Sequence, residues 1–217
     1  ITISNIDKDG PVLDIKYSST QNTIENVIVT ITSDEKIQEI STWTRVNDNT
    51  LTKTFTKNAT EKVIAKDIVG NETQKTITVN NIIPIRIKEG SGIVIENDII
   101  KNIQPKTTYY KLMENLETRQ NISIKEGETK LTENSIIKTG QKLIVNDTTY
   151  TLIVLGDTNG DGDANLRDML QINNHRLNKN QLNSIQQQAA DTYKDNKIDL
   201  KDMFKINMYR LKKTSAL

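Results

Sequence analysis

The sequence predicts a multi-domain chain, with an all-β module over residues 1–82, a small α+β module over 83–155 and an α-helical module over 156–217. Three observations carry this division. Residues before 82 alternate apolar β-branched and polar side chains between turn signals. Residues 83–155 mix strand-like runs with one capped helix pattern. The remainder repeats a single loop–helix unit, first from Asp157 and again from Asp191.

In the first module, Val27, Val29 and Ile31 alternate with Ile28, Thr30 and Thr32, the two-residue period of a half-buried strand. Similar runs fall at 51–55, 62–65 and 76–79. Asp9-Gly10, Asn47-Asp48-Asn49 and Gly70-Asn71 supply turns between them. Short strands at this spacing suit a two-sheet sandwich. The pairing of Asp9-Gly10-Pro11 with Asp67-Ile68-Val69-Gly70-Asn71 resembles bacterial immunoglobulin-like modules strung along secreted surface enzymes. Trp43, the only tryptophan, reads as core or edge packing rather than as a platform for stacking a sugar.

The second module offers strand-like pieces at 83–88, 92–95, 121–125, 142–145 and 150–155. A short helix is expected over 107–116. Pro105 precedes it, Thr107 or Thr108 caps it, and Tyr109, Leu112 and Leu116 lie toward one side.

The third module carries the chemistry. From Asp157 to Asp168, oxygen-bearing side chains stand at loop positions one, three, five, seven, nine and twelve, with Gly162 at the sixth. A hard cation that takes roughly six to eight oxygens, calcium above all, requires such a ring, and the glycine allows the bend that closes it. The second loop runs from Asp191 to Asp202. Tyr193 stands where the first loop has Asn159, and Asn196 stands in place of the glycine. Asn accepts positive φ better than most residues, so the second site is expected to be present but weaker. Each loop is followed by an amphipathic pattern. Met169, Ile172 and Leu177 in one, and Met203, Ile206 and Leu211 in the other, are expected to face inward, so that the two helices pack together. The segment entering the first loop, 150–155, is β-branched and apolar. An ordinary EF-hand would have a helix there and a Glu at position twelve, where this chain has Asp168 and Asp202.

This duplicated loop–exit-helix unit, opened by Gly156-Asp157 and repeated at Asp191, resembles a type I dockerin with two F-hand repeats. Dockerins are calcium-dependent docking modules of secreted bacterial proteins that bind cohesin modules on a scaffold or partner enzyme. The resemblance implies calcium ligands at Asp157, Asn159, Asp161, Asp163 (by its carbonyl) and Asp168. In the second loop it implies Asp191, Asp195, Lys197 (by its carbonyl), Asp199 and Asp202. It also implies a cohesin-binding face of Leu166, Arg167, Leu170, Asn173, Asn174, Leu177 and Asn178 on the first unit. The counterpart on the second is Leu200, Lys201, Phe204, Asn207, Met208, Leu211 and Lys212. The Ser-Thr pair common in cellulosomal dockerins is replaced by Leu166-Arg167 and Leu200-Lys201, which implies a different cohesin specificity. Leu166 and Leu200 are either interface anchors or part of the module's own core. Such doublets can present either helix to a partner, and the differences between Asn174 and Met208 and between His175 and Tyr209 predict one preferred orientation. Lys138-Thr139-Gly140-Gln141, with the run 150–155 leading into Gly156-Asp157, resembles the X module that often precedes dockerins. The lack of linker predicts that the two pack as one rigid unit.

Composition bounds the function. The 217 residues include 29 basic and 28 acidic side chains, a formal charge of +1 that gives no strong draw toward nucleic acid. There is no cysteine, hence no disulfide and no thiolate chemistry. No apolar run approaches the length of a membrane span. His175 is the only histidine, and the carboxylates gather where cation ligands are needed rather than as an acid–base pair. The chain is therefore expected to be non-catalytic. Because it starts at Ile1, with no leader segment, it is expected to be part of a longer or processed protein, secreted or held at a bacterial surface. The competing expectation is a calcium-stabilised adhesive or glycan-binding tail. That reading needs exposed aromatics, which make up only 4% of the residues.

Overall fold

The computed structural model describes residues 7–217, so the first six residues of the expected 1–82 module lie outside the described part. The chain forms two compact units, Ile1–Ile83 and Pro84–Leu217.

The first unit is all β. Strands β1 (Leu13–Tyr17), β2 (Val27–Ser33), β3 (Thr44–Asn47) and β4 (Thr50–Phe55) form an antiparallel sheet in the order β1-β2-β4-β3. Strands β5 (Ala59–Lys66) and β6 (Glu72–Val79) form a second, two-stranded sheet. Along β2 the side chains of Val27, Val29 and Ile31 are fully buried, as the alternation predicts. They meet Val63, Ala65, Ile77 and Val79 of the second sheet in one core. Residues 36–40, which carry no strand pattern, still add a bridge between Ile37 and Asp67 beside β5. The turn joining β5 to β6 is organised by buried Asp67, whose Oδ1 accepts the amides of Val69 and Asn71 at 2.8 and 2.9 Å. Trp43 packs against this core, donates from Nε1 to Glu61 and lies under the Lys53 ammonium.

The second unit is built on a six-stranded sheet with the order β12-β11-β13-β14-β9-β8. Here β7 is Arg86–Ile87, β8 Val94–Glu96, β9 Ile99–Ile103, β10 Leu116–Glu117, β11 Ile122–Glu126, β12 Thr129–Lys130, β13 Lys142–Val145 and β14 Thr148–Val154. β7 and β10 pair separately. The expected helix is confined to α1 (Tyr109–Met113), capped by Thr108, whose side chain accepts the Lys111 amide. Leu116 belongs to β10 rather than to the helix. The strand expected over 83–88 shrinks to β7. β9, not predicted, runs parallel to β14.

The end of β14 is buried on both faces. Leu152 and Val154 join the core formed with Ile100, Ile103, Leu112 and Leu143. Leu155, the next residue, joins a different core with Ile172, Leu182, Ala190 and Ile206. That second core lies among α2 (Leu166–Arg176), α3 (Ser184–Ala190) and α4 (Leu200–Arg210). Residues 84–217 form one compact unit, in which the successive residues Val154 and Leu155 enter different cores. No helix in the described residues is long and apolar enough to cross a membrane.

Candidate metal loops and docking helices

Each predicted loop leads directly into a helix. Asn165 and Asp199 cap α2 and α4, each in a capping box with the loop's last carboxylate, Asp168 or Asp202. The position-twelve carboxylate thus closes the loop and starts the helix.

In the first loop Asp157 and Asp168 are fully buried. Asp157 accepts the amides of Asp161 (2.9 Å), Gly162 (3.0 Å) and Thr139 (2.8 Å). Asp168 accepts those of Thr158 (2.9 Å), Asn159 (3.1 Å) and Asn165 (2.9 Å). Asn159 Oδ1 and Asp161 Oδ1 accept the amides of Asp161 and Asp163. The Asp163 carboxylate lies 3.4 Å from the Lys106 ammonium. Burial pushes the Asp168 carboxyl up to about 6 and raises that of Asp157, although the amide hydrogen bonds pull both downward. Two buried carboxylates without a lysine or arginine partner among the described residues form an anionic pocket that a divalent cation would neutralise, so the residues present fit the ion.

The second loop adopts the same backbone course. Gly160 and Gly162 have φ of +75° and +85°, and Lys194 and Asn196 occupy the equivalent positions at 61° and 60°. Asp191 accepts the amides of Asp195 (3.1 Å) and Asn196 (2.9 Å), and Asp202 accepts those of Tyr193 (3.0 Å) and Asp199 (2.9 Å). The Lys197 amide donates to Asp195 at 3.1 Å, as the Asp163 amide does to Asp161 in the first loop. Tyr193 brings no carboxylate, and its ring lies beneath the Lys205 ammonium at 5.5 Å.

The loops differ in their surroundings. The first lies against residues 136–139. A Cβ on Gly162 would come within 2.5 Å of Ile136 Cγ2 and 2.7 Å of the Ile137 carbonyl. The Thr139 amide reaches Asp157, and the Lys106 amide donates to the Gly162 carbonyl. In the second loop residues 193–197 are all exposed. Leu217 is buried as well. Gln104 accepts its amide at 2.8 Å and donates to its carbonyl at 2.9 Å. Sequence reasoning missed Gln104, Lys106 and Thr139. The one hint was the direct run of 150–155 into the loop.

The structure places the predicted docking residues on two matched faces. Leu166, Leu170 and Leu177 are exposed along α2 and its end, and Leu200, Phe204 and Leu211 along α4 and its end. Arg167, Asn178, Lys201 and Lys212 are exposed beside them, and Asn173, Asn174, Asn207 and Met208 are half-buried. Leu166 and Leu200 therefore lie outside the core. The expectation that Leu177 and Leu211 face inward is corrected. Both sit at helix C-caps, followed by Asn178 and Lys212 at φ of 57° and 56°, so the chain turns away before their side chains reach the core. Ile172 and Ile206 alone are fully buried on the inner faces, flanked by Met169 and Met203. Asn173 and Asn207 each accept a guanidinium hydrogen bond, from Arg176 and Arg210, at 2.9 Å. His175 accepts the Leu182 amide at Nδ1 and so holds the turn before α3.

Residues 155–209 match the family described as the dockerin type I domain. Domains of that family bind calcium and cohesin modules and are non-catalytic. Neither the search of curated proteins nor that of solved structures gave a match.

Proposed function

We propose that, with a type I dockerin domain at residues 155–209, this chain is a non-catalytic assembly segment that joins a secreted carbohydrate-active or other extracellular enzyme to a cohesin on a scaffold or partner. In this reading residues 156–217 hold two calcium ions, the second more weakly. Residues 83–155 act as an X-like module that backs the first loop. Residues 1–82 form an immunoglobulin-like spacer. The order β1-β2-β4-β3, with Ile37 bridged beside the β5–β6 pair, supports the last assignment, since the constant-type immunoglobulin sandwich divides its strands in that way.

The observation that carries the proposal is the matched exposure of Leu166, Leu170 and Leu177 with Leu200, Phe204 and Leu211 beyond two similarly built loops. Apolar side chains with basic neighbours, unburied by their own module, make an interface core with a polar rim. An adhesive or glycan-binding tail finds less support, because Trp43 is packed on the core and tied to Glu61.

Calcium titration into the chelated chain, followed by calorimetry and far-ultraviolet circular dichroism, tests the reading. Two binding events with a gain of helix are expected, because metal-binding energy contributes directly to folding in such modules. A chelated chain with unchanged helix that takes up no calcium would overturn it.

A further inference from the structure

Asn159 precedes Gly160, the only Asn-Gly step in the chain. An asparagine side-chain amide is open to attack by the backbone nitrogen of the next residue, and glycine, lacking Cβ, obstructs that attack least. The Gly160 nitrogen bonds to Asn159 Cγ, its proton leaves with the departing amide nitrogen as ammonia, and a five-membered succinimide remains. Water opens the ring at one carbonyl or the other, giving aspartate or isoaspartate. The sequence consumes one water, releases one ammonia and needs no oxidant or reductant.

The geometry around Asn159 favours this course. Both residues of the step are half-exposed, so water reaches them. The Asp161 amide donates to Asn159 Oδ1 at 2.9 Å, polarising the carbonyl that would be attacked. Asn159 Nδ2 lies 2.8 Å from the Asp161 carboxylate, which stands beside the nitrogen that must leave. Gly160 has only the Thr139 carbonyl near its missing Cβ, at 3.4 Å. By contrast, Asn134 and Asn183 are each followed by a serine, Ser135 or Ser184, whose Cβ obstructs the attack that Gly160 leaves open.

We propose that Asn159 is a self-modification site whose deamidation is gated by calcium in the first loop. The calcium gate rests on the reading of that loop as a cation site. The ion fixes Oδ1 and the loop backbone together, so the peptide rotation that brings the Gly160 nitrogen onto Cγ is blocked. The two products have opposite consequences. Aspartate keeps the backbone and adds a carboxylate to the ring of ligands. Isoaspartate inserts a methylene into the main chain, displaces position three and weakens the loop. A chain that loses its calcium thereby acquires a slow, irreversible record of that loss.

The test incubates the full chain at mildly alkaline pH, either chelated or calcium-saturated, and follows each asparagine by peptide mapping, mass and isoaspartyl labelling. In the chelated chain Asn159 is expected to convert severalfold faster than Asn134 and Asn183, and calcium is expected to slow it severalfold. Asn159→Gln should remove this conversion, since its longer side chain closes a six-membered ring far more slowly. Conversion of Asn159 no faster than that of Asn134 in the chelated chain overturns the site. Conversion unaffected by calcium, in a sample whose first loop is shown by calorimetry to be filled, overturns the gate. If calorimetry shows no calcium binding, the gate falls together with the cation reading, and the chelated rate still decides the modification on its own.

Discussion

Gly162 shows how one residue couples a cation loop to the structure behind it. Its φ of +85° is costly for any side chain, and a Cβ would strike both Ile136 and the Ile137 carbonyl. Strain and overpacking act together, so Gly162→Ala should destabilise the second unit by about 3 kcal/mol. The equivalent Asn196 is exposed at a φ of 60°, and Asn196→Ala should cost only about 1 kcal/mol. Thermal unfolding of the two variants measures the difference, and equal shifts would mean that the wall behind the first loop contributes nothing. Loop chemistry at this scale could be read from the sequence, since ligand identity and turn glycines are local properties. The wall could not, because Ile136 and Thr139 approach Gly162 and Asp157 only through tertiary packing.

At the scale of elements, α2 and α4 are near copies with unequal faces. α4 carries Phe204 and Met208 where α2 carries Leu170 and Asn174, so its face is the more apolar. Truncating Leu200 and Lys201 to alanine should therefore weaken cohesin binding by about 2 kcal/mol, and truncating Leu166 and Arg167 by less. Equal losses in the two double variants, read by surface plasmon resonance, would contradict a preferred orientation. The exit helices were legible because Met169 with Ile172, and Met203 with Ile206, repeat at helical spacing beside strong caps. α3 was not. Ser184-Ile185-Gln186-Gln187-Gln188-Ala189-Ala190 has little apolar periodicity, and its signal was the Asn183–Gln186 capping box. β9 was hidden for another reason, since its parallel partner β14 lies far along the chain. Leu177 and Leu211 show the limit of periodicity, which continues in sequence past the point where the helix stops.

In the second unit as a whole, the loop–helix doublet and the sheet share one compact unit with two cores. Excising 156–217 removes the Thr139 amide from Asp157, the packing around Gly162 and the Gln104 clasp on Leu217. Outer groups that orient metal ligands change affinity by roughly tenfold or more when lost. The excised segment should therefore bind calcium at the first loop about tenfold more weakly than residues 84–217 do, with the exposed second loop little changed. Identical affinities in calorimetry of the two lengths would show that the sheet is only a neighbour.

β14 also has a mechanical consequence. It runs from the middle of the sheet straight into the first loop, paired with β9 on one side and β13 on the other. A partner pulling on α2 would load β14 along its own axis. In that direction the hydrogen bonds on both flanks are sheared together rather than unzipped one by one. Leu155 is tied to Ile103 at the end of β9 and Leu217 to Gln104, the residue that follows it, so tension entering the doublet from either side arrives at adjacent residues. A tether built this way would resist tension at the sheet, with the first loop, which joins β14 to α2, as the link that transmits it.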